Sequence, residues 1–255
     1  MGDAMRKKLE FYQDHLIGCA PGTHACLLDL IKKYVTARSG VLDVGTHTGA
    51  LLLRLRNAGF NDLVGADLDE TRFELPEADF LKLDLNTQFA KEFGREFNLI
   101  VSTDVIEHLD SPRAFLSQLR EILSDGGVIA LSFPNVAFWE GRLKFLLKGE
   151  LWGFGSKNYI LQRHISPMTL EQTELLLQEL GYEVLEMTSG GSFATTLRRI
   201  VTAPLWIPIR LIAGKKAMGE CGLVVARKTV PDEDIKVPLH YKSRWAGVAD
   251  RIGFE

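Results

Sequence analysis

Three side chains able to move a proton or hold a metal stand together in the run Thr103-Asp104-Val105-Ile106-Glu107-His108-Leu109. Asp104, Glu107 and His108 are spaced i, i+3 and i+4, so on a helical turn they share one face. His164 follows far along the chain, in Arg163-His164-Ile165-Ser166-Pro167. Two chemistries suit these residue types. An imidazole titrates near neutral pH, which makes His108 a candidate general base for a hydroxyl nucleophile. Alternatively Glu107, His108 and His164, with Asp104, form a carboxylate and imidazole set that suits a divalent cation, and such a cation lowers the pKa of a nucleophile bound to it. A third reading leaves Glu107 and His108 as local helix caps.

A second group of residues is arranged to bind. The run Val41-Leu42-Asp43-Val44-Gly45-Thr46-His47-Thr48-Gly49-Ala50 reads as a strand, a glycine turn and the start of a helix that Gly59 closes. That order presents backbone N–H groups to a ligand at the switch point of an open α/β sheet. A carboxylate at Asp43 suits a cationic ligand better than a pyrophosphate. Asp67 ends the next apolar run, Asp62–Ala66, where an acidic residue accepts hydrogen bonds from ribose hydroxyls; the bland reading is a turn or cap. Asp84 ends a third run, Phe80–Leu83.

The elements that must position these groups alternate. Strands are expected over 40–44, 62–66, 80–83, 98–102 and 128–133. A helix opens at Asp110-Ser111-Pro112 and is closed by Gly126-Gly127, with Phe115, Leu119, Ile122 and Leu123 on its buried face. Helices are also expected over 5–17, 24–36 and 169–180, and strands over 182–187 and 221–227. Strands with acidic ends alternating with helices give an α/β, doubly wound, mostly parallel sheet.

At 255 residues, with 46% hydrophobic and 25% charged side chains, the chain has the composition of a soluble globular domain. Its net charge of −3 offers no electrostatic footprint for nucleic acid. Cys19, Cys26 and Cys221 form no C-x-x-C pair, so a reducing compartment is expected, without disulfides. The charged start, Met1–Glu10, lacks a secretory core, and no apolar run reaches spanning length. A cytoplasmic location is the expectation.

The order Asp43, Gly45, Gly49 resembles motif I of the class I S-adenosylmethionine-dependent methyltransferases, D-x-G-x-G-x-G, with His47 where the middle glycine usually stands. His tolerates positive φ better than most side chains. The run D-V-I-E-H-L followed by L-R-E-I-L-S-D-G-G is similar to the branch that holds the ubiquinone-pathway O-methyltransferases and other type 11 and 23 methyltransferase domains. The resemblance implies a Rossmann-like seven-stranded sheet whose last strand is antiparallel and lies at the edge. It implies S-adenosylmethionine as cofactor, held by Asp43, Gly45, Thr46, His47, Gly49, Asp67, Leu68, Asp84, Leu85 and Thr103. Asp84 would take the adenine amine, with Leu85 packing on the ring. An acidic-x-x-Glu-His run with a later His also resembles metal-dependent members of the superfamily. Here the first acidic residue is Asp104, one methylene shorter than Glu.

The resulting expectation is one domain: an N-terminal helical cap over 1–37, a cofactor-binding core over 38–135, lid insertions over 136–166 and 189–220, and a tail over 229–255. The first insertion is rich in aromatic residues, from Phe138 to Tyr159, which are expected to form a core layer or an aromatic pocket over the transferable methyl. The second mixes apolar residues with Arg198, Arg199, Arg210, Lys215 and Lys216, and Pro204 and Pro208 interrupt it. It reads as a hairpin of helices over the pocket, a dimer face, or an amphipathic element on a membrane surface. The expected activity is methyl transfer to a small-molecule acceptor, most simply to oxygen. The competing readings are a nicotinamide-dependent oxidoreductase, which lacks its G-x-G-x-x-G here, and a non-catalytic cofactor-binding module.

Overall fold

The structure is a computed structural model that describes residues 9–229; the expected tail, apart from Thr229, lies outside the described residues. The chain opens with a hairpin, β1 (Glu10–Tyr12) and β2 (His15–Ile17), followed by α1 (Thr23–Tyr34). Then come β3 (Ser39–Val44), α2 (Ala50–Asn57), β4 (Asn61–Asp67), β5 (Asp79–Lys82), β6 (Phe97–Thr103), α3 (Pro112–Glu121) and β7 (Leu123–Pro134). The first insertion forms α4 (Trp139–Lys148) and α5 (Ser156–Gln162). After α6 (Leu170–Glu179) and β8 (Tyr182–Gly190), the second forms α7 (Thr196–Val201) and α8 (Ala203–Ala213), and β9 (Cys221–Lys228) ends the fold.

Seven strands pair in the order β5-β4-β3-β6-β7-β9-β8. The first five are mutually parallel, and β9 runs antiparallel to both neighbours. The chain winds outward from β3 to β5 and returns to β6, so the switch point lies between β3 and β6. Each central strand is apolar on both faces because helices cover both. Leu42, Ile100, Ile129 and Val224 enter one core layer, which α3 and α6 cover. Val41, Leu99, Val128 and Val225 enter the other, which α1 and α2 cover.

Three expectations are corrected. The helix over 5–17 is a β-hairpin throughout its described part. Gln13, in the left-handed region, and Asp14 form a two-residue turn that pairs Tyr12 with His15, and the strand alternation overrides a helix-like sequence. The N-terminal cap is therefore a hairpin plus one helix. The last strand is antiparallel but does not lie at the edge. It is buried along nearly its whole length, so it sits inside the sheet, and the more polar β8 takes the edge. The Gly126-Gly127 pair does not close α3, which ends at Glu121; both glycines lie within β7. Among the described residues no helix is long and apolar enough to cross a membrane.

Candidate cofactor and acceptor site

A cavity of about 470 Å³ opens at the carboxyl ends of the parallel strands, within the size range of small-molecule sites. β3 delivers Asp43 to its wall. Oδ2 of Asp43 accepts from Thr46 Oγ1 at 2.9 Å, while Oδ1 is buried with no hydrogen-bond partner among the described residues. Burial raises the pKa of Asp43 from 3.8 to about 7; the Thr46 hydroxyl opposes the rise and the Asp67 charge adds to it. An orphan buried carboxylate oxygen at a cavity wall is a place where a cation or a donor relieves a desolvation cost.

The loop after β3 turns through Gly45 at φ 76, where an added Cβ would stand 2.2 Å from a Val105 methyl. His47 also takes a left-handed conformation, at φ 51. Its backbone N–H donates to Asp67 Oδ2 at 2.9 Å, and its ring nitrogen lies 3.3 Å from the Arg72 guanidinium. The loop geometry thus survives without the usual glycine. Gly49 does not line the cavity. At φ 83 it caps α2 against Phe73 and Leu75, and its N–H closes the loop onto Thr46 O at 2.9 Å.

Asp67 ends β4 and takes N–H donors from His47 and Asp69, which leaves about two of its roughly four acceptor positions for hydroxyls. Asp84, exposed at the rim, accepts the Asn86 N–H at 2.9 Å. Leu68, Leu85 and Thr103 also line the cavity, as do Thr46, His47 and His108. Leu16, Gly18, Cys19 and His24 form a wall that sequence reasoning missed. Nothing in their spacing points there. β2 carries Leu16, whose carbonyl accepts from the Thr48 hydroxyl at 2.8 Å, the loop after it carries Gly18 and Cys19, and α1 carries His24. His24 lies 3.4 Å from Thr103 Oγ1, and burial, then the Arg54 charge, lowers its pKa to about 3, so it is neutral. Arg72 and Asn86 were missed as well; only their closeness in sequence to Asp67 and Asp84 hinted at them.

The helical face shared by Asp104, Glu107 and His108 does not form. The run makes one short 3-10 turn, Ile106–His108, and Asp104 precedes it in a left-handed conformation. The Asp104 carboxylate accepts from Ser132 Oγ at 2.7 Å and from the Cys221 thiol at 3.7 Å, which ties it to the sheet. It lines the cavity but leaves the cluster. Glu107, His108 and His164 do converge, with ligand atoms within 4.8 Å of one another. Glu107 is buried, and neither of its carboxylate oxygens has a hydrogen-bond partner among the described residues. Burial, reinforced by the Asp104 charge, pushes its pKa well above the usual range. His108 and His164 meet edge to face, with centroids 4.8 Å apart. His164 Nδ1 lies 2.7 Å from Gly153 O. A carbonyl only accepts, so Nδ1 carries a proton; in the neutral ring the lone pair is then on Nε2, the arrangement that orients a metal-binding imidazole. The chain after His164 is stapled to the turn, because Glu107 O accepts the N–H groups of Ile165 and Ser166 at 2.8 and 3.0 Å. One carboxylate and two imidazoles, the His164 ring oriented by Gly153 O, make a donor set of the kind that suits a divalent cation.

The aromatic pocket expected from the first insertion is absent from this cavity: no residue of 138–159 lines it. Phe138 and Trp139 are buried, the Phe138 ring packs on both Trp139 and Trp152, Phe154 faces His164, and Phe145 and Tyr159 are exposed.

The family model described as a methyltransferase domain matches residues 19–187. That is more than half of the chain, and the chain belongs to this family, in the class I S-adenosylmethionine-dependent group. It is 30% identical over 115 residues to the mitochondrial ubiquinone biosynthesis O-methyltransferase of Dictyostelium discoideum, covering 38% of this chain and 36% of that protein. It is 29% identical over 130 residues to the ubiquinone biosynthesis O-methyltransferase of Cereibacter sphaeroides, covering 43% and 52%. The match thus spans about a third to a half of the curated relatives' length. Its fold is similar to that of a SAM-dependent methyltransferase from Archaeoglobus fulgidus, with a TM-score of 0.57 at 18% identity over 80% of this chain and 92% of that one.

Proposed function

We propose that the protein transfers the methyl group of S-adenosylmethionine to an oxygen of a small-molecule acceptor. The observation that carries this reading is the set of carboxylates, Asp43, Asp67, Asp84 and Asp104, around one cavity at the switch point. Such a setting favours a cationic sulfonium donor over a pyrophosphate. In this reading Asp67 accepts the ribose hydroxyls, Asp84 takes the adenine amine, and Leu85 and Leu68 pack on the adenosine. Gly45, Thr46 and His47 supply the close backbone, Gly49 shapes it, Asp43 faces the cationic end, and Thr103 completes the wall. The acceptor oxygen attacks the methyl carbon, the carbon–sulfur bond breaks onto sulfur, and the oxygen loses its proton. The protein's main contribution is alignment. The preference for oxygen rests on the likeness to the two O-methyltransferases.

In this reading His108, which lines the cavity, takes that proton. The orphan Glu107 carboxylate favours a second reading of the same corner. Glu107, His108 and His164 would hold a divalent cation, and His108 would then be a ligand rather than the base. Such a cation supplies Lewis acidity toward an acceptor oxygen.

Calorimetry with S-adenosylmethionine, its demethylated product and NAD tests the donor; tight NAD binding with none for S-adenosylmethionine overturns the reading. Labelled-methyl transfer to phenols, catechols and diols then tests the acceptor, and donor binding without transfer to any of them leaves the non-catalytic module. In chelator, lost turnover restored by Mg²⁺ or Mn²⁺, with His164→Ala nearly as damaging as His108→Ala, selects the cation. Full turnover in chelator, with His108→Ala inactive and His164→Ala mild, selects the base.

A further inference from the structure

Helices α4, α7 and α8 carry an apolar surface that covers no core. Among the described residues, the exposed large apolar side chains are Leu9, Phe11, Leu68 and Leu175 and, beyond these four, only residues of the two insertions. Leu146, Leu147, Ile200, Leu211 and Ile212 are between 66% and 89% exposed. Helix α8, Ala-Pro-Leu-Trp-Ile-Pro-Ile-Arg-Leu-Ile-Ala, has no buried residue. The three helices form one unit: α8 packs on α4 and α7, and Arg198 of α7 is ion-paired with Glu140 of α4 at 2.5 Å. A soluble monomer rarely leaves so much apolar surface together.

The charge pattern identifies the occupant. From Met187 to Gly219 there is no acidic residue, in a chain of net charge −3. Arg199, Arg210, Lys215 and Lys216 are exposed along this stretch, and none has an ion-pair partner among the described residues. A symmetric pairing of two copies through this face would set like charges against each other. Apolar side chains flanked by unpaired cations suit the boundary between acyl chains and anionic headgroups. At 11 residues α8 is too short to span a bilayer, and no described helix can. We propose that the α4, α7 and α8 face docks on an anionic membrane surface, with the apolar residues in the interface and the cations on the headgroups. The inference stands independently of the methyl-transfer reading.

Sedimentation of the full chain with vesicles tests it. Vesicles of phosphatidylcholine with about one third phosphatidylglycerol should carry the protein down at low salt, with affinity at least about tenfold higher than for phosphatidylcholine alone and falling steeply as salt is raised. L211S/I212S and R210E/K215E should each abolish co-sedimentation. Both pairs are exposed, so circular dichroism and S-adenosylmethionine binding should match the unaltered chain. Light scattering supplies the opposing result. A dimer in solution that L211S/I212S converts to monomer would assign the face to a second copy and overturn the proposal. Failure of the folded chain to bind anionic vesicles at low salt would overturn it equally.

Discussion

Between Ser39 and Asp104 the central strands bury apolar residues on both faces, and two side chains with a buried polar atom left without a hydrogen bond among the described residues, Asp43 and His47, line the cavity. Between Trp139 and Ala213 the insertion helices do the reverse. Glu140 and Arg198 pair with each other, while Leu146, Leu147 and Leu211 face outward. Between the two regions stands the turn after β6, where His164 reaches from the end of the first insertion to the His108 ring. In each region the group whose burial is incomplete or uncompensated points to a missing partner. For the strand ends the fitting partner is a small polar cation; for the insertions it is an extended apolar surface bearing negative charge.

The largest effect should come from pH, and it probes the uncompensated side of the comparison. Asp43 binds its proton more tightly in the folded chain, with a pKa of about 7 against 3.8. The folded state therefore holds more protons than the unfolded state between those values, and stability falls as pH rises through this window. The stabilisation is fully present below about pH 4 and is lost by about pH 8, by up to about 4 kcal/mol at full burial. Glu107 adds in the same direction. Thermal melts of the unliganded chain from pH 5 to 8 should show the decline, and Asp43→Asn should flatten it. S-adenosylmethionine affinity should rise over the same range as the carboxylate ionises. A flat melting profile would mean that Asp43 is solvated in solution and would break the contrast.

Gly45→Ala should cost about 3 kcal/mol. The residue sits at φ 76 and its new methyl would strike Val105, so backbone strain and overpacking add. Urea titration reads the loss. A cost under about 0.5 kcal/mol would show that the loop shifts freely, which a rigid cavity wall would not.

Asp67→Ala should weaken S-adenosylmethionine by about 1–3 kcal/mol, the range for hydrogen bonds to a charged group, with the fold retained. Calorimetry measures it. Unchanged affinity with a lowered melting temperature would make Asp67 a brace for the His47 loop alone.

The strand-end region was readable in the sequence because its signals are local. An apolar run of one strand's length, an acidic residue at its end and a glycine turn are all written within ten residues, and parallel pairing follows from the intervening helices. Placement of Asp67 and Asp84 around one cavity needed no more, while Thr103 came from the family resemblance alone. The cluster of Glu107, His108 and His164 was readable as residue types but not as geometry. The expected helical turn is too short, and a left-handed Asp104 anchored on Ser132 and Cys221 takes that carboxylate out of the set. The His24 wall was readable only as a region, from the family's habit of covering the cofactor with the helices before the sheet, and not as residues. It depends on Gln13 turning the chain into a hairpin, on Thr48 holding Leu16 and on α1 bringing His24 to Thr103, contacts between segments that carry no mutual pattern. In the insertions the apolar residues were visible, but their direction was not, since short helices with interrupted periodicity do not say which face turns inward.

The smallest expected effect lies on the outward face. Leu147 is 78% exposed on α4, so truncating it removes almost no buried area in the free protein. Leu147→Ser should change stability by no more than about 0.5 kcal/mol, which for a chain of this size is under about 2 °C in melting temperature. A buried leucine replaced in the same way would cost several times more, because its lost transfer energy and the cavity left behind add. Differential scanning calorimetry on the monomer distinguishes the two. A null result keeps the contrast between a region that buries its leucines and one that presents them. A loss of about 2 kcal/mol or more would mean that the insertion folds inward in solution and closes over the site from above. Leu211 and Ile212 would then be the next residues to test in the same experiment, since α8 rests on α4 and would move with it.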